Sequence, residues 1–155
     1  MKDIDKYRPG NLVIFENNSL NARIAKVMQV EYINNKITSL QIDNGHWISK
    51  QEIRPACLFV DCLFNLKFYI NSSYKYDSNG NIRKIDYEEE IYHYYNGELE
   101  LLIHKHDNTI WYKNIHIHYI HQLQNLCTEI TGEPLLISDL YKNSLSKFYF
   151  ESSTI

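Results

Sequence analysis

The hydrophobic positions near the end of the chain recur at the spacing of an α-helix. Between His116 and Leu135 apolar residues lie three or four positions apart, at Ile117, Ile120, Leu123, Cys127 and Ile130, and Leu126 widens the stripe. Gly132 can take the left-handed conformation that caps a last turn, and Pro134 cannot continue a helix. The pattern predicts one long amphipathic helix over about residues 117–131 that carries no catalytic residue type.

Residues 1–55 show short apolar runs separated by turn residues, which is typical of strands. Arg23–Ile33 has a spacing that also suits a helix, but the Asn34-Asn35 turn after it favours a strand. Ser49 and Glu52 have the spacing of a capping box, which predicts a single helical turn. The remaining runs are Leu12–Phe15, Ile37–Ile42 and Trp47-Ile48, the last two joined by an Asn44-Gly45 hairpin signal. These features predict an SH3-like small β-barrel over residues 1–55.

Residues 56–155 are predicted to form an α+β unit that packs against the first. The apolar connector Ala56–Phe68 fits a short buried helix, with a buried strand as the alternative. Beyond it, Asn79-Gly80, Asn96-Gly97 and Asp107-Asn108 separate runs typical of an antiparallel β-meander. Leu99, Leu101 and Ile103 alternate with more polar positions, so we expect the long helix to pack on their face of the sheet. Residues 136–155 fit either a short helix or a strand.

Composition and charge narrow the class of protein. The chain has 155 residues, 44% hydrophobic and 23% charged, which is ordinary globular composition. The formal net charge of -3 argues against wholesale neutralisation of nucleic-acid phosphates, although a local basic face stays open. The chain has three cysteines without a CxxC pair, no signal-peptide core and no apolar run of membrane-spanning length. We expect a soluble protein of the host-cell cytoplasm, with no membrane partner.

Tyrosine is enriched, with 13 residues in the chain, and most lie in the meander. Tyrosine pairs an apolar ring with a polar tip, so it suits interaction surfaces and half-buried sheet faces alike. The cations near the Asn79-Gly80 turn add local positive charge. The candidates for partner binding are therefore Tyr74, Lys75, Tyr76, Arg83, Lys84, Tyr92, Tyr94 and Tyr95.

Histidines cluster late in the chain, at His104, His106, His116 and His118. A His-x-His pair on a strand places both imidazoles on one face, and two such strands could supply three nitrogen ligands to zinc. Half-exposed polar residues at a sheet edge are the commoner explanation, and no signature such as HExxH is present. A structural role is favoured, with these four histidines kept as candidate metal ligands and no cofactor predicted.

Other catalytic constellations find little support. Cys57, Cys62 and Cys127 all lie in apolar stripes, which predicts buried structural thiols. Glu88–Glu90 beside His93 would need a desolvated carboxylate to act as an acid or base, and a solvated strand edge is the simpler interpretation. No Walker loop, GxGxxG or GxSxG motif occurs, so we predict that the protein is not an enzyme.

The tract YIHQLQNLCTEITGEPL, from Tyr119 to Leu135, resembles a family of short uncharacterised phage and prophage proteins with an HQLQNL helix and a Thr-Gly-Glu-Xaa-Leu end. RPGNLV (Arg8 to Val13) and EIRPACL (Glu52 to Leu58) are similar to the opening strand and the strand junction of those proteins. The chain departs from the pattern at Phe59–Cys62 and in its tyrosine-rich meander. The resemblance implies an accessory protein of a mobile element, without an activity to carry over.

Three functions follow as hypotheses. The first is a non-enzymatic protein that binds a host component, with the sharper expectation of an anti-defence inhibitor of anti-CRISPR type on a nuclease effector or its RNA-bound complex. The second is a nucleic-acid-binding adaptor that uses the SH3-like unit and stacking tyrosines. The third is a metal-dependent hydrolase built on the histidines.

Overall fold

The computed structural model of the protein describes residues 3–16, 22–63, 66–70, 74–76, 79, 82–84 and 91–137, and it describes the backbone alone for residues 70, 74–76, 82–84, 91 and 92. The predictions for Glu88–Glu90 and for residues 138–155 lie outside these ranges. The chain divides into two compact units, which we call the first unit (Met1–Cys57 with Tyr119–Ile155) and the second unit (Leu58–His118). It is an α+β protein of mostly antiparallel sheets with one long helix, as predicted.

The first unit contains a five-stranded antiparallel sheet in the order β4-β3-β2-β1-β5. Its strands are β1 (Leu12–Phe15), β2 (Arg23–Ile33), β3 (Lys36–Ile42), β4 (Trp47–Ser49) and β5 (Ile53–Pro55). The predicted strands are therefore confirmed, including β2, whose spacing left a helix open. Because β4 and β5 are the two edges of the sheet, its described strands do not close into a barrel.

Strand β2 pairs with β1 through its first half and with β3 through its second half. Its register with β3 shifts between Val27 and Gln29, so Met28 lies in a bulge that bends the strand. The bend lets the two halves of the sheet cover one apolar core. The residues of this core are Val13, Ala25, Val27, Leu40, Ile42, Ile48 and Ile53.

Local turn chemistry accounts for the connections. Asn34 and Asn35 both adopt positive φ, at 52° and 63°, as a tight hairpin turn between twisted strands requires. Between β4 and β5 a single 3-10 turn spans Lys50–Glu52, and the Glu52 carboxylate accepts a hydrogen bond from the Ser49 N–H at 3.0 Å. The predicted helical turn is thereby confirmed.

The second unit is built around another five-stranded antiparallel sheet, in the order β12-β11-β10-β9-β6, with a separate two-stranded hairpin of β7 and β8. A short helix within the predicted connector precedes these strands. The bounds are α1 (Val60–Leu63), β6 (Tyr69–Ile70), β7 (Tyr74–Tyr76), β8 (Ile82–Lys84), β9 (Ile91–Asn96), β10 (Leu99–His104), β11 (Thr109–Tyr112) and β12 (Ile115–Ile117).

The alternation predicted for β10 is confirmed. Leu99, Leu101 and Ile103 are almost fully buried, whereas Glu100, Leu102 and His104 are half-buried on the other face. We call the face with Leu102 and His104 the outer face of this sheet.

The long helix α2 spans Ile120–Thr131, so the predicted start near residue 117 was wrong. Ile115–Ile117 instead forms β12 and pairs with β11, because a turn in which Lys113 has a φ of 52° extends the meander by one strand. His116 and His118 therefore lie outside the helix. Its predicted end is confirmed, since Gly132 caps it at a φ of 76° and donates a hydrogen bond to the Thr128 carbonyl at 2.9 Å.

Helix α2 belongs to the first unit, where it contacts β1, whereas the sequence pattern assigned it to the meander sheet. Its first two turns are buried on every side, from Ile120 to Cys127. The prediction that residues 1–55 and 56–155 pack together stays a prediction. Among the described residues, no helix combines the length and the apolar character that crossing a membrane requires.

The three cysteines have different environments. Cys62 and Cys127 are buried, and burial raises the pKa of the Cys127 thiol, which is consistent with their predicted structural role. Cys57 is exposed, so its predicted burial was wrong. Cys57 forms an isolated antiparallel bridge with Tyr119, so the segment around it is extended. Alternate side chains of an extended segment face opposite directions, which explains why a thiol in an apolar run can be exposed.

Candidate functional site

The polar residues of the HQLQNL tract bind the backbone of the N-terminal segment. The Asn125 amide donates to the carbonyls of Ile4 (2.9 Å) and Lys6 (2.8 Å) and accepts from Asn11 Nδ2 at 2.9 Å. Gln124 accepts from the Leu12 N–H at 2.8 Å and donates to the Gly10 carbonyl at 3.0 Å. These hydrogen bonds satisfy groups that the segment before β1 cannot pair within a sheet. The most distinctive motif of the chain therefore has a structural role.

His121 and Gln122 complete this network around Asp5. The His121 Nε2–H donates to the Asp5 carbonyl at 2.9 Å, and Gln122 Nε2 donates to the Asp5 carboxylate at 2.6 Å. His121 is only 3% exposed, and its Nδ1 has no hydrogen-bond partner within the described part of the chain. Burial lowers the pKa of the His121 imidazole, so the ring is neutral at pH 7. The neighbouring Tyr7 ring stands 4.7 Å away, and burial, aided by Tyr119, raises the pKa of Tyr7 to about 12.

A cavity of about 350 Å³ lies in the first unit, between the segment before β1 and the end of α2. Its polar lining is largely engaged within the protein: Arg8 forms an ion pair with Glu129 at 2.9 Å, and Asn11, Gln124 and Asn125 bond as described above. A pocket whose polar groups already have partners offers few groups to orient a ligand. This cavity is therefore a weak candidate for the functional surface.

The outer face of the second unit's sheet carries a line of aromatic rings. We call it the histidine–tryptophan row; it comprises His106, His104, Trp111, His116 and His118. Trp111 is directly opposite His116 in the register of β11 and β12, and their near-parallel rings lie 4.6 Å apart. Trp111 also stacks on His104 at 5.5 Å. The row continues from His116 to His118 at 3.7 Å and from His104 to His106 at 5.9 Å.

Hydrogen bonds hold the indole at the centre of this row. The Trp111 indole N–H donates to Thr109 Oγ1 at 2.8 Å, and the Thr109 hydroxyl donates to Asp107 Oδ1 at 2.7 Å. The Thr109 backbone N–H donates to the same carboxylate oxygen at 3.1 Å. These two bonds from Thr109, helped by the nearby histidines, hold the pKa of the Asp107 carboxyl below its usual range. Asp107 is thus an oriented anion at the β10–β11 turn.

Charge along the row depends on the environment of its rings. Desolvation lowers the pKa of the His116 imidazole, and the adjacent His118 lowers it further. At neutral pH His116 is therefore an uncharged ring stacked on the indole. Next to the row on the same face, His93 Nδ1 lies 2.6 Å from a Glu100 carboxylate oxygen. The face is amphipathic, with aromatic rings bordered by carboxylates.

The structure brings together some of the predicted site residues and separates others. The hairpin of β7 and β8 pairs Tyr74 with Lys84 and Lys75 with Arg83, while Tyr76 pairs with Ile82. In β9, Tyr94 is opposite the buried Leu101 and Tyr95 is opposite Glu100, so these two tyrosines lie on different faces. Tyr92 pairs with Ile103 and occupies the same register face as Tyr94. The predicted tyrosine cluster is therefore divided between two faces of the sheet.

The predicted histidine group is divided in a different way. His104 and His106 lie with Asp107 in a group whose donor atoms are all within 4.8 Å of one another. His116 and His118 lie on the other side of Trp111. The four histidines thus belong to one row, but not to one set of metal donors.

Sequence reasoning missed Trp111 and Thr109, which link the histidines. The sequence does contain a signal for this link. The Asp107-Asn108 turn predicts a hairpin in which Thr109 is opposite His104, and Trp111, two positions further on, lies on the same face of the sheet. Trp47, which is 49% exposed on β4 in the first unit, was also not singled out. Trp47 belongs to the first unit, whereas the residues of the row belong to the second unit.

Comparisons of the chain with protein-family models, with curated proteins and with solved structures found no match. The resemblance to phage and prophage proteins stays a prediction.

Proposed function

We propose that the protein is a non-enzymatic binding protein whose partner-binding surface is the histidine–tryptophan row. The observation that carries the proposal is the stacking of Trp111 on His104 and His116 across the outer sheet face, with both imidazoles within 5.5 Å of the indole. Tryptophan contributes disproportionately to protein interfaces, especially where rigid neighbours hold it in place. Stacking and the hydrogen bond to Thr109 supply that rigidity before binding.

A protein partner fits this surface better than a nucleic acid. A platform for bases needs free ring faces, whereas the rings of this row stack on one another. Its border also includes the carboxylates of Asp107 and Glu100, which repel phosphate. Protein surfaces, by contrast, supply donors and apolar groups that match aromatic edges and carboxylates.

The proposed partner is a host defence nuclease, as the mobile-element resemblance implies, and the proposed action is inhibition by docking. The support for this narrower step is the sequence resemblance alone. We also propose that the first unit is SH3-like, which the strand order β4-β3-β2-β1-β5 and the 3-10 turn before β5 support.

The test is a cleavage assay with purified CRISPR effector–RNA complexes of the host. We expect one of them to lose DNA cleavage when the protein is added at equimolar concentration, and to regain it with the Trp111→Ala variant. Trp47→Ala, which removes the other tryptophan, is the matched control and should inhibit like the unmodified protein. Inhibition that survives Trp111→Ala would refute the row as the binding surface, and full cleavage with every effector would refute the nuclease partner.

A nucleic-acid-binding adaptor is the second candidate, and one observation favours it. The register of β7 and β8 sets Lys75 opposite Arg83 and brings Lys84 onto the same hairpin, so three cations share a short segment. Binding to RNA or DNA through this hairpin should weaken steeply with salt. An electrophoretic shift that disappears in a variant with all three cations replaced by glutamine would favour the adaptor over the protein-binding role.

A further inference from the structure

We propose that His104, His106 and Asp107 form a binding site for a divalent late transition-metal ion such as Zn²⁺, Ni²⁺ or Cu²⁺. The site lies at the turn between β10 and β11. It goes beyond the proposed partner binding and does not depend on it.

The backbone of the turn brings the three side chains together. His104 is the last residue of β10, and its carbonyl accepts a hydrogen bond from the Asn108 N–H at 2.8 Å, which closes the turn. Asn108 adopts a φ of 57°, the left-handed conformation that asparagine tolerates. The donor atoms of His104, His106 and Asp107 consequently lie within 4.8 Å of one another.

Little rearrangement is needed to bind an ion. Donor atoms that share one ion at about 2.1 Å are separated by about 3.0 to 3.4 Å in octahedral or tetrahedral geometry. His106 Nε2 and Asp107 Oδ2 are already 3.2 Å apart. The His104 donor atom must approach by about 1.8 Å at most, which rotation of its imidazole and that of His106 can provide.

Asp107 is oriented by residues that do not touch the ion. Its Oδ1 is held by the hydroxyl and the backbone N–H of Thr109, so Oδ2 is the oxygen turned toward His106. Thr109 is itself held by the Trp111 indole N–H. Carboxylate ligands are generally positioned by such outer hydrogen bonds, and their loss weakens metal affinity. Thr109 is therefore a positioning residue for the site.

The donor set selects the class of ion. Two imidazoles and one carboxylate suit Zn²⁺, Ni²⁺ and Cu²⁺, whereas Mg²⁺ and Ca²⁺ prefer all-oxygen sites. His106 and Asp107 are exposed, so water can complete the coordination sphere. A site with three protein ligands and open positions could also accept a donor atom from a bound partner.

The test uses the full chain without a histidine tag, with Trp47→Phe so that Trp111 is its single tryptophan. We expect Cu²⁺ to quench Trp111 fluorescence, because the indole lies 5.5 Å from the His104 ring, and Zn²⁺ to bind calorimetrically with a stoichiometry of one. His106→Ala and Asp107→Asn should each weaken binding by about tenfold or more. Thr109→Val should weaken binding by about tenfold, whereas Thr109→Ser, which retains the hydroxyl, should restore it.

His46→Ala is the matched control, since His46 is an exposed histidine in another hairpin turn, close to Asp43. It should leave the affinity unchanged. The proposal is overturned if the protein binds neither Cu²⁺ nor Zn²⁺, or if His106→Ala and Asp107→Asn bind as tightly as the His46→Ala control.

Discussion

Asn125 illustrates at the scale of single residues why a helix can be amphipathic in sequence and buried all round in the fold. Hydrophobic spacing identified the apolar stripe of α2 apart from Ile117, and an amphipathic helix is expected to turn its polar positions to solvent. Asn125 is 2% exposed, however, because its amide bonds two backbone carbonyls and the Asn11 side chain. These hydrogen-bond partners are over a hundred positions away in the chain, so the local sequence pattern around α2 cannot predict them.

Asn125→Leu should destabilise the protein strongly. The leucine keeps the volume but leaves the Ile4 and Lys6 carbonyls and the Asn11 amide without this partner, which corresponds to a loss of roughly 3 kcal/mol or more in the free energy of unfolding. The measurement is urea denaturation followed by circular dichroism. Thr128→Ala, on the exposed side of the same helix, is the control and should change stability by no more than about 0.5 kcal/mol. Equal stability of the two variants would contradict the structural role of the motif.

His121 makes stability depend on pH. Its pKa in the folded protein lies below the ordinary value of 6.5, so the unfolded chain takes up this proton first as the pH falls. The contribution of His121 to the free energy of unfolding is complete above about pH 6.5. It is lost as the pH falls below this value, at no more than about 1.4 kcal/mol per pH unit. His121→Gln retains a donor for the Asp5 carbonyl but does not titrate. We expect its stability to fall less between pH 7 and pH 5 than that of the unmodified protein, and parallel pH profiles would exclude this role.

At the scale of elements, strands and turns follow from local chemistry, and the exceptions have identifiable causes. Alternation in β10 and the two positive-φ asparagines between β2 and β3 are properties of neighbouring residues, so the sequence predicts them. The start of α2 was misplaced because Ile117 fits the helical spacing and also the register of β12. Strand pairing with β11 decides between the two, and pairing is a tertiary contact that spacing does not contain.

Gly132 ends α2 for a conformational reason alone. An added Cβ would meet no atom within 4 Å, so the effect of Gly132→Ala comes from the φ of 76° and not from a clash. We expect a loss of about 1 kcal/mol for alanine and a smaller loss for asparagine, which tolerates this conformation better. Thermal denaturation of the two variants measures the difference. An alanine variant as stable as the unmodified protein would show that the cap does not limit stability.

At the scale of the whole molecule, the chain leaves the first unit after Cys57 and returns to it at Tyr119. The sequence predicts a domain boundary between residues 55 and 56. This is close to Cys57, where the chain leaves the first unit, because the turn before β5 is visible in the sequence pattern. The sequence pattern does not predict that the chain re-enters the first unit at Tyr119, because no residue near α2 indicates that the partners of this helix are at the N-terminus. The candidate site shows the same limit: the histidines were visible as a cluster, whereas their link through Trp111 depends on strand register.

The buried residues at the start of the second unit should resist proteolysis. Leu63, Leu66 and Phe68 are all fully buried at 0% exposure. Limited digestion with chymotrypsin under native conditions, read by mass spectrometry, should therefore spare the bonds after Leu63, Leu66 and Phe68 while cutting elsewhere. A first cut after Leu63, Leu66 or Phe68 would contradict the packing of this segment.

We propose that the protein binds another protein through the histidine–tryptophan row. The most direct measurement is quantitative affinity capture from host cells with three baits: the unmodified protein, a Trp111→Ala/His116→Ala variant and the Trp47→Ala control, each verified as folded by circular dichroism. We predict one protein retained in stoichiometric amount by the unmodified bait and by the control, and lost from the row variant. Equal retention by all three baits, or recovery of nucleic acid without a protein, would contradict the claim.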